Sequence, residues 1–331
     1  MNLTVSFLIN NYNYGRFLRQ AIDSALAQTY PHCEVVVVDD GSTDDSPGII
    51  RSYGMKIHSI FKENGGQGSA LNAGFAQTRG EIIKLLDSDD YLSPIAAERI
   101  VSAWHDGVHI LHHRLLVVDI NGKELGTFPG KNHTLDSGDL VPRLLRDGGY
   151  IGLPTSGLAY SRSLLQKLLP MPEAEFRICA DGWLTYQAPF LAEVTVLDEN
   201  LACYRHHDTN AWVNIADTSP KNLSREKVEM FVKHVDTFHN LIRKQARERG
   251  LEIATLNRWD SYEVIYFKLI LYRLGSDLVK DQYGSMLIRK LIKKIRLSGF
   301  TRSEAVRKFF WALTIWLSPR IVLRQMYPKM F

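Results

Sequence analysis

The sequence predicts an α/β fold: a Rossmann-like, mostly parallel sheet with helices on both faces, followed by an all-helical C-terminal region. Three observations carry this. Short, continuously apolar runs alternate with helical patterns through the first hundred residues. Three of those runs stop abruptly in the polar clusters Asn10–Asn13, Asp39–Ser42 and Asp87–Asp90. From Ser224 onward the periodicity is helical throughout.

Val5–Ile9 is rich in β-branched residues and reads as the first strand. Phe17, Leu18, Ala21, Ile22, Ala25 and Leu26 then recur at helical spacing, with Pro31 beyond the end. Val35–Val38 is the second strand and Ile57–Phe61 the third. A turn, Gly65-Gly66-Gln67-Gly68, leads into a helix around Ala70–Gln77. Ile82–Leu86 is the fourth strand, and Pro94 suits the first position of the next helix. Val108–Val118 reads as a strand pair or a long edge strand, and Gly148–Gly157 as a loop. Val194–Leu197 and Leu201–Tyr204 read as late strands. Val228, Phe231, Val232, Val235, Phe238, Leu241 and Ile242 form one helical stripe. Further helices are expected at Asp260–Leu274, Leu278–Leu297 and, after a Ser303 cap, Glu304–Leu317. The expected boundary lies in Asn210–Ser224 and separates domains 1–215 and 216–331.

The net charge of +4 hides a split. Residues 287–331 hold 11 Lys/Arg and one acid, a net of +10, which leaves −6 on the other 286 residues. A mildly acidic body argues against a protein that coats nucleic acid. The 45% hydrophobic and 23% charged fractions exclude global disorder. Cys33, Cys179 and Cys203 form no CxxC pair, which fits a reducing cytoplasm. No basic segment precedes the first strand, so no signal peptide is expected. The longest near-apolar stretch, Phe309–Leu317, falls far short of the roughly 20 residues that span a bilayer.

In open parallel sheets, ligands bind at the carboxyl ends of strands, where all three polar clusters stand. The acids of Asp87-Ser88-Asp89-Asp90 repel one another unless a cation or solvent relieves them. Oxygen clusters suit Mg²⁺ or Mn²⁺ bridging to a diphosphate, and an acidic helix cap fits equally well. Asp40, and less firmly Asp39, can accept the imide hydrogen of a uracil or a guanine N–H. Ser42 through Ser46 read better as a turn. Neither GxGxxG nor GxxxxGK[ST] occurs. The glycines around Gly66 would still let backbone N–H groups approach a phosphate, although a tight turn is the commoner explanation.

Five stretches in order resemble the inverting family 2 glycosyltransferases, which have a GT-A fold. They are Val5–Asn13, Ala21–Tyr30 (AIDSALAQTY), Val35–Ser46 (VVVVDDGSTDDS), Asn64–Gly74 (NGGQGSALNAG) and Leu85–Leu92 (LLDSDDYL). The resemblance implies that 1–105 binds the nucleotide sugar and 106–215 the acceptor. It places Asn10 and Tyr12 against the base, Asp40 and Asp39 at base recognition, and Gly66 and Ser88 beside the donor. Asp87 and Asp89 match the DxD motif that holds the metal on the diphosphate, with Asp90 adjacent. Asp181, in Ala180-Asp181-Gly182-Trp183, matches the catalytic base. Trp183 reads as an acceptor platform or as core. Tyr204–Asn210 resembles a closing YRxHxxN stretch, which puts His207 near the metal and Arg205 near phosphate. The family often has Pro at 10, Thr or Ser at 11 and a basic residue at 71, where this chain has Asn10, Asn11 and Leu71. These departures leave the donor base open.

The implied activity is metal-dependent inverting transfer by a hexosyl- or N-acetylhexosaminyl-transferase. The donor is a nucleoside-diphosphate sugar, UDP favoured, and the acceptor a glycan or lipid-linked hydroxyl in envelope polysaccharide synthesis. The alternatives are a sugar-phosphate nucleotidyltransferase, whose basic signature loop Ile9–Gly15 does not supply, and an inactive carbohydrate-binding or scaffold module. Leu287–Leu297 (LIRKLIKKIRL) is a cationic amphipathic helix, followed by Phe309, Phe310, Trp311, Ile315 and Trp316. The expectation is an anionic membrane surface, met peripherally on the inner face of the plasma membrane. Packing on the catalytic domain or in a homo-oligomer is the competing expectation.

Overall fold

The computed structural model describes residues 3–207, 210, 224–253, 262–297 and 302–327. The chain divides into two compact units, 1–144 with 149–210, and 145–148 with 211–331.

Among the described residues, the first unit is built on one nine-stranded sheet. Its strands are β1 (Val5–Asn11), β2 (Cys33–Asp39), β3 (His58–Phe61), β4 (Ile82–Asp87) and β5 (Tyr91–Leu92). They continue with β6 (Ile110–Val118), β7 (Glu124–Phe128), β8 (Leu158–Ser161) and β9 (Val194–Arg205). The order is β3-β2-β1-β4-β8-β6-β9-β5, with β7 on β6. β3, β2, β1 and β4 are parallel. Beyond them the sheet is mixed: β8 is antiparallel to β4 and β6, and β9 is parallel to β6. β6 and β7 are joined by a short turn, which only an antiparallel pair permits. β9 is one bulged strand where two were expected.

The helices of this part are α1 (Gly15–Leu26), α2 (Ser46–Ser52), α3 (Gln67–Phe75), α4 (Ala96–Ala103), the start of α5 (Val141–Asp147), α6 (Arg162–Leu168) and α7 (Ala180–Gln187). Pro94 precedes α4 rather than opening it. The α1 stripe of Leu18, Ala21, Ile22 and Ala25 packs with Val5, Phe7, Ile9, Val35, Val37, Ile82 and Leu86 in one core. Alternate strand residues point to the opposite face, so a strand buried on both sides is apolar along most of its length. On that other face, α3 approaches closely through Gly74. A Cβ there would meet Leu8 Cδ1 at 2.2 Å and Val38 Cγ2 at 2.8 Å. This packing brings the ends of β1, β2 and β4, with their polar clusters, to one edge.

The second unit holds α8 (Arg225–Glu248), α9 (Tyr262–Leu274), α10 (Gly284–Leu297), α11 (Arg302–Leu317) and α12 (Arg320–Met326). Ser224 caps α8, its side chain accepting from the Lys227 N–H. The expected helix from Leu278 is split, because Asp277–Val279 forms a separate 3-10 turn before α10. Ser303 lies inside α11 and is not its cap. Most of the expected boundary segment falls outside the described residues. Leu287, Leu291 and Ile295 of α10 join Val228, Val232, Ile265, Leu269, Ala312 and Ile315 in one core. The apolar face of Leu287–Leu297 is therefore used by neighbouring helices, which corrects its reading as a lipid-facing surface. No described helix is long and apolar enough to cross a membrane.

Candidate active site

β1 and β4 run side by side in a register that sets Asn10 opposite Asp87. Asn10 Nδ2 donates to Asp87 Oδ1 at 3.2 Å. Beyond β4 the chain turns sharply, with the Asp90 N–H donating to the Asp87 carbonyl at 3.1 Å. This turn gathers Asp87, Asp89 and Asp90, each offering an oxygen within 4.8 Å of the others. Burial, then the charges of Asp89 and Asp181, push the Asp87 carboxyl up to about 7. Burial, then Asp89 and Asp87, push Asp90 well above the usual carboxylate range. Asp90 Oδ1 accepts from the Arg205 N–H at 2.8 Å, while Oδ2 is buried without a partner.

Beneath this cluster lies Lys84, fully buried in β4. Its ammonium donates to the carbonyls of Leu85 at 2.9 Å and Ser156 at 2.6 Å. Burial lowers its pKa to about 7, against the pull of Asp90 and Asp87. Ser156 Oγ in turn accepts the Asp87 N–H at 3.1 Å. Ser88 is buried, which leaves little of it for a donor to touch.

The closing strand β9 ends at Arg205, and His207 follows two residues later. Arg205 Nε donates to the Asp89 carbonyl at 2.9 Å, and its other nitrogens to Ile120 O and Gln20 Oε1. Its guanidinium also stacks over Phe17, 4.8 Å from the ring centre. It is a clamp on the acidic turn, not a free phosphate contact. His207 Nε2 donates to Asp89 Oδ2 at 2.9 Å, and its ring is wedged against Phe17 and Tyr14. His207 is outside the carboxylate cluster and engages Asp89 with the nitrogen that would bind metal. The bond holds the imidazole against Asp89, beside that cluster. Asn210 Nδ2 supports the same oxygen at 3.4 Å. Asp208 and Thr209 lie outside the described residues.

The two neighbouring aspartates at the end of β2 separate in role. Asp39 accepts from Asn11 Nδ2 at 2.9 Å and from the Ser42 N–H at 3.1 Å. These bonds shape the turn that follows β2. Asp40 accepts from Lys62 Nζ at 2.7 Å and from the Gly65 and Gly66 N–H groups at 2.9 and 2.6 Å. Three donors on two oxygens leave one acceptor direction on Oδ2 for a ligand. Tyr12, 45% exposed, offers an open ring face beside this edge.

Gly66 starts α3 at φ +90°, and a Cβ there would lie 2.6 Å from the Arg177 backbone. The Gln67 and Gly68 N–H groups donate to the carbonyls of Arg177 and Phe176. The Gly66 amide is thus engaged by Asp40, and those of Gln67 and Gly68 by residues 176–177. The same contacts anchor the segment that leads into α7. Gln67 Nε2 lies 3.3 Å from Asp87 Oδ1, and its Oε1 accepts from the Ala180 N–H at 2.9 Å. Asp181 follows in the first turn of α7, near enough for its charge to raise Asp87. Its Oδ1 accepts from the Gly182 N–H at 2.9 Å. Trp183, half-buried, donates to the Leu168 carbonyl and packs edge-on to Phe176.

Asp87, Asp89 and Asp90 fit a hard divalent cation. They bring crowded hard oxygens, Asp87 and Asp90 carboxyls raised by burial and then by neighbouring charge, and an orphaned buried oxygen on Asp90. Sequence reasoning gave no role to Lys84, Gln67, Lys62 or Ser156. Only Lys84 carried a signal, a lone cation inside the apolar run Ile82–Leu86.

The comparisons with known proteins agree with this architecture. The family model described as glycosyl transferase family 2 matches residues 6–168. An uncharacterized glycosyltransferase of Nostoc sp., alr2836, is 39% identical over 279 residues, covering 79% of this chain and 86% of that one. TarS of S. aureus, solved with UDP, superposes with a TM-score of 0.55 at 19% identity, covering 96% of this chain and 92% of that one. The mannosyltransferase PcManGT of Pyrobaculum calidifontis, solved with GDP-Man and Mn²⁺, gives 0.52 at 15% identity, covering 99% and 84%. At such identities these structures speak for the GT-A fold alone. With a mixed sheet that gathers its acids at one edge and a near-full-length relative at 39% identity, the chain belongs to glycosyl transferase family 2.

Proposed function

We propose that this glycosyltransferase is metal-dependent and inverting. It moves a sugar from a nucleoside-diphosphate sugar, UDP favoured, to a hydroxyl of a glycan or lipid-linked acceptor in envelope polysaccharide synthesis. The observation that carries this is the Asp87, Asp89 and Asp90 cluster with the charge of Asp181 in reach of it. The fold neighbours' nucleotide ligands, UDP in one and GDP-Man with Mn²⁺ in the other, support the donor class. Residues 1–215 form the catalytic domain, with the donor half at 1–105 and the acceptor half at 106–215, and 216–331 form the helical region. The acceptor is met peripherally at the inner face of the plasma membrane.

Asp87, Asp89 and Asp90 would hold Mg²⁺ or Mn²⁺, which when bound offsets charge on the departing diphosphate. His207 and Asn210 fix Asp89, while Gln67 and Asn10 fix Asp87. Asp40 takes an N–H of the base and Tyr12 stacks on it. Asp181 removes the acceptor proton as that oxygen attacks the anomeric carbon. The bond from that carbon to the diphosphate breaks, the nucleoside diphosphate leaves, and the configuration inverts.

The test is turnover of a panel of UDP- and GDP-sugars, with the product's anomeric configuration read by NMR. Metal-dependent release of one nucleoside diphosphate with inversion is expected. Equal release in chelator, or a retained configuration, would count against the mechanism.

A further inference from the structure

α11 turns a second apolar surface outward. Ala312 and Ile315 are buried in the helical unit, whereas Val306, Phe310 and Leu317 are 49%, 62% and 71% exposed. Their spacing of four and seven residues stacks them in one stripe. Arg302 and Arg307 are exposed on the same helix. On α10, opposite its buried Leu287 and Leu291, the exposed residues include Arg289, Lys290, Lys293 and Arg296. Within 287–331 the only acid is Glu304.

A helix that buries one face normally presents polar residues on the other. Here the outward face is apolar at its centre and cationic at its edges. A nucleic acid would answer the charges and leave the stripe in water. An apolar protein groove would answer the stripe and leave the cations unpaired. Anionic lipid answers both, with phosphates at the surface and acyl chains beneath.

We propose that α11 is the membrane-contacting element. Val306, Phe310 and Leu317 enter the headgroup–acyl boundary of an anionic bilayer, Arg302 and Arg307 pair with lipid phosphates, and the cations of α10 add long-range attraction. This rests on the proposed membrane-side acceptor and names the surface that reaches it. It is independent of the donor chemistry.

The test uses the full chain and vesicles of phosphatidylcholine with or without phosphatidylglycerol, compared in co-sedimentation. The second protein carries Val306→Ser, Phe310→Ser and Leu317→Ser together. These positions are exposed, so the fold should hold, and thermal unfolding checks it. Nucleoside-diphosphate release from the donor in solution should be equal in both proteins, which separates this proposal from the catalytic one. Wild type should bind only the anionic vesicles, and the variant roughly tenfold more weakly or less. The proposal is overturned by wild type that ignores anionic vesicles, or by a folded variant that binds them like wild type. A variant that changes only self-association in light scattering would also overturn it, in favour of a second copy on this face.

Discussion

Asp87 stands where burial and the charges of Asp89 and Asp181 hold its carboxyl near 7. A divalent cation needs that oxygen ionised, so binding the cation releases a proton. Mn²⁺ affinity is therefore expected to weaken as pH falls through about 7, by up to roughly tenfold per pH unit. Calorimetric titrations at pH 8 and pH 6 measure this, and equal affinities would dismiss Asp87 as a ligand. Asp181 differs in kind, because its carboxylate is assigned a proton and not a metal. Asp181→Asn should lower kcat by roughly 10²–10⁴-fold with little change in KM for the donor. A variant with wild-type kcat would remove it as the base.

The joint between α3 and α7 ties these residues together at the scale of elements. Gly66 seats α3 against the Arg177 backbone, and Gln67 bridges Asp87 to the start of α7. Gly66→Ala must displace that backbone and strain a left-handed φ, so both stability and kcat should fall. Urea unfolding and turnover check this, and an unchanged kcat would show that Asp181 is positioned independently of α3. In β6, His112 stacks on Tyr150 with ring centroids 6.1 Å apart, and its Nε2 is buried without a partner. Burial, then the charge of Lys84, lowers its pKa to about 3 from 6.5. The folded chain stays neutral there while the unfolded chain takes up a proton. This contribution is whole above about 6.5 and is lost as pH falls toward 3. His112→Phe should make the acid loss of stability shallower by about 1.4 kcal/mol per pH unit. Unfolding free energies at pH 7 and pH 5 decide it, and parallel losses in the two proteins would contradict it.

For the whole molecule, the sheet edge was legible because apolar strands ending in carboxylates have a short, local signature. The pairing of Asp39 with Asn11, and of Asp40 with Lys62 and Gly65, was not. Adjacent aspartates look alike until distant loops choose between them. Lys84 stood out as a lone cation in an apolar run, but its partners are backbone carbonyls, which leave no trace in sequence. The α10 stripe was legible as amphipathic, but that periodicity is the same whether lipid or protein covers it. The structure assigns Leu287, Leu291 and Ile295 to the helical core. The +10 of residues 287–331 lies within the helical unit, and the acids of the sheet edge belong to the −6 remainder.

Asp87, Asp89 and Asp90 are proposed to hold the donor diphosphate through a divalent cation. Calorimetric titration of UDP and GDP into wild type and Asp89→Asn, each with Mn²⁺ or with chelator, tests it most directly. One nucleotide should bind wild type in Mn²⁺, and its affinity should fall by roughly 10²-fold or more in chelator and in the variant alike, a loss of about 2.7 kcal/mol. Equal binding in Mn²⁺ and chelator, or an unimpaired Asp89→Asn, would show that these carboxylates do not hold the donor through a cation.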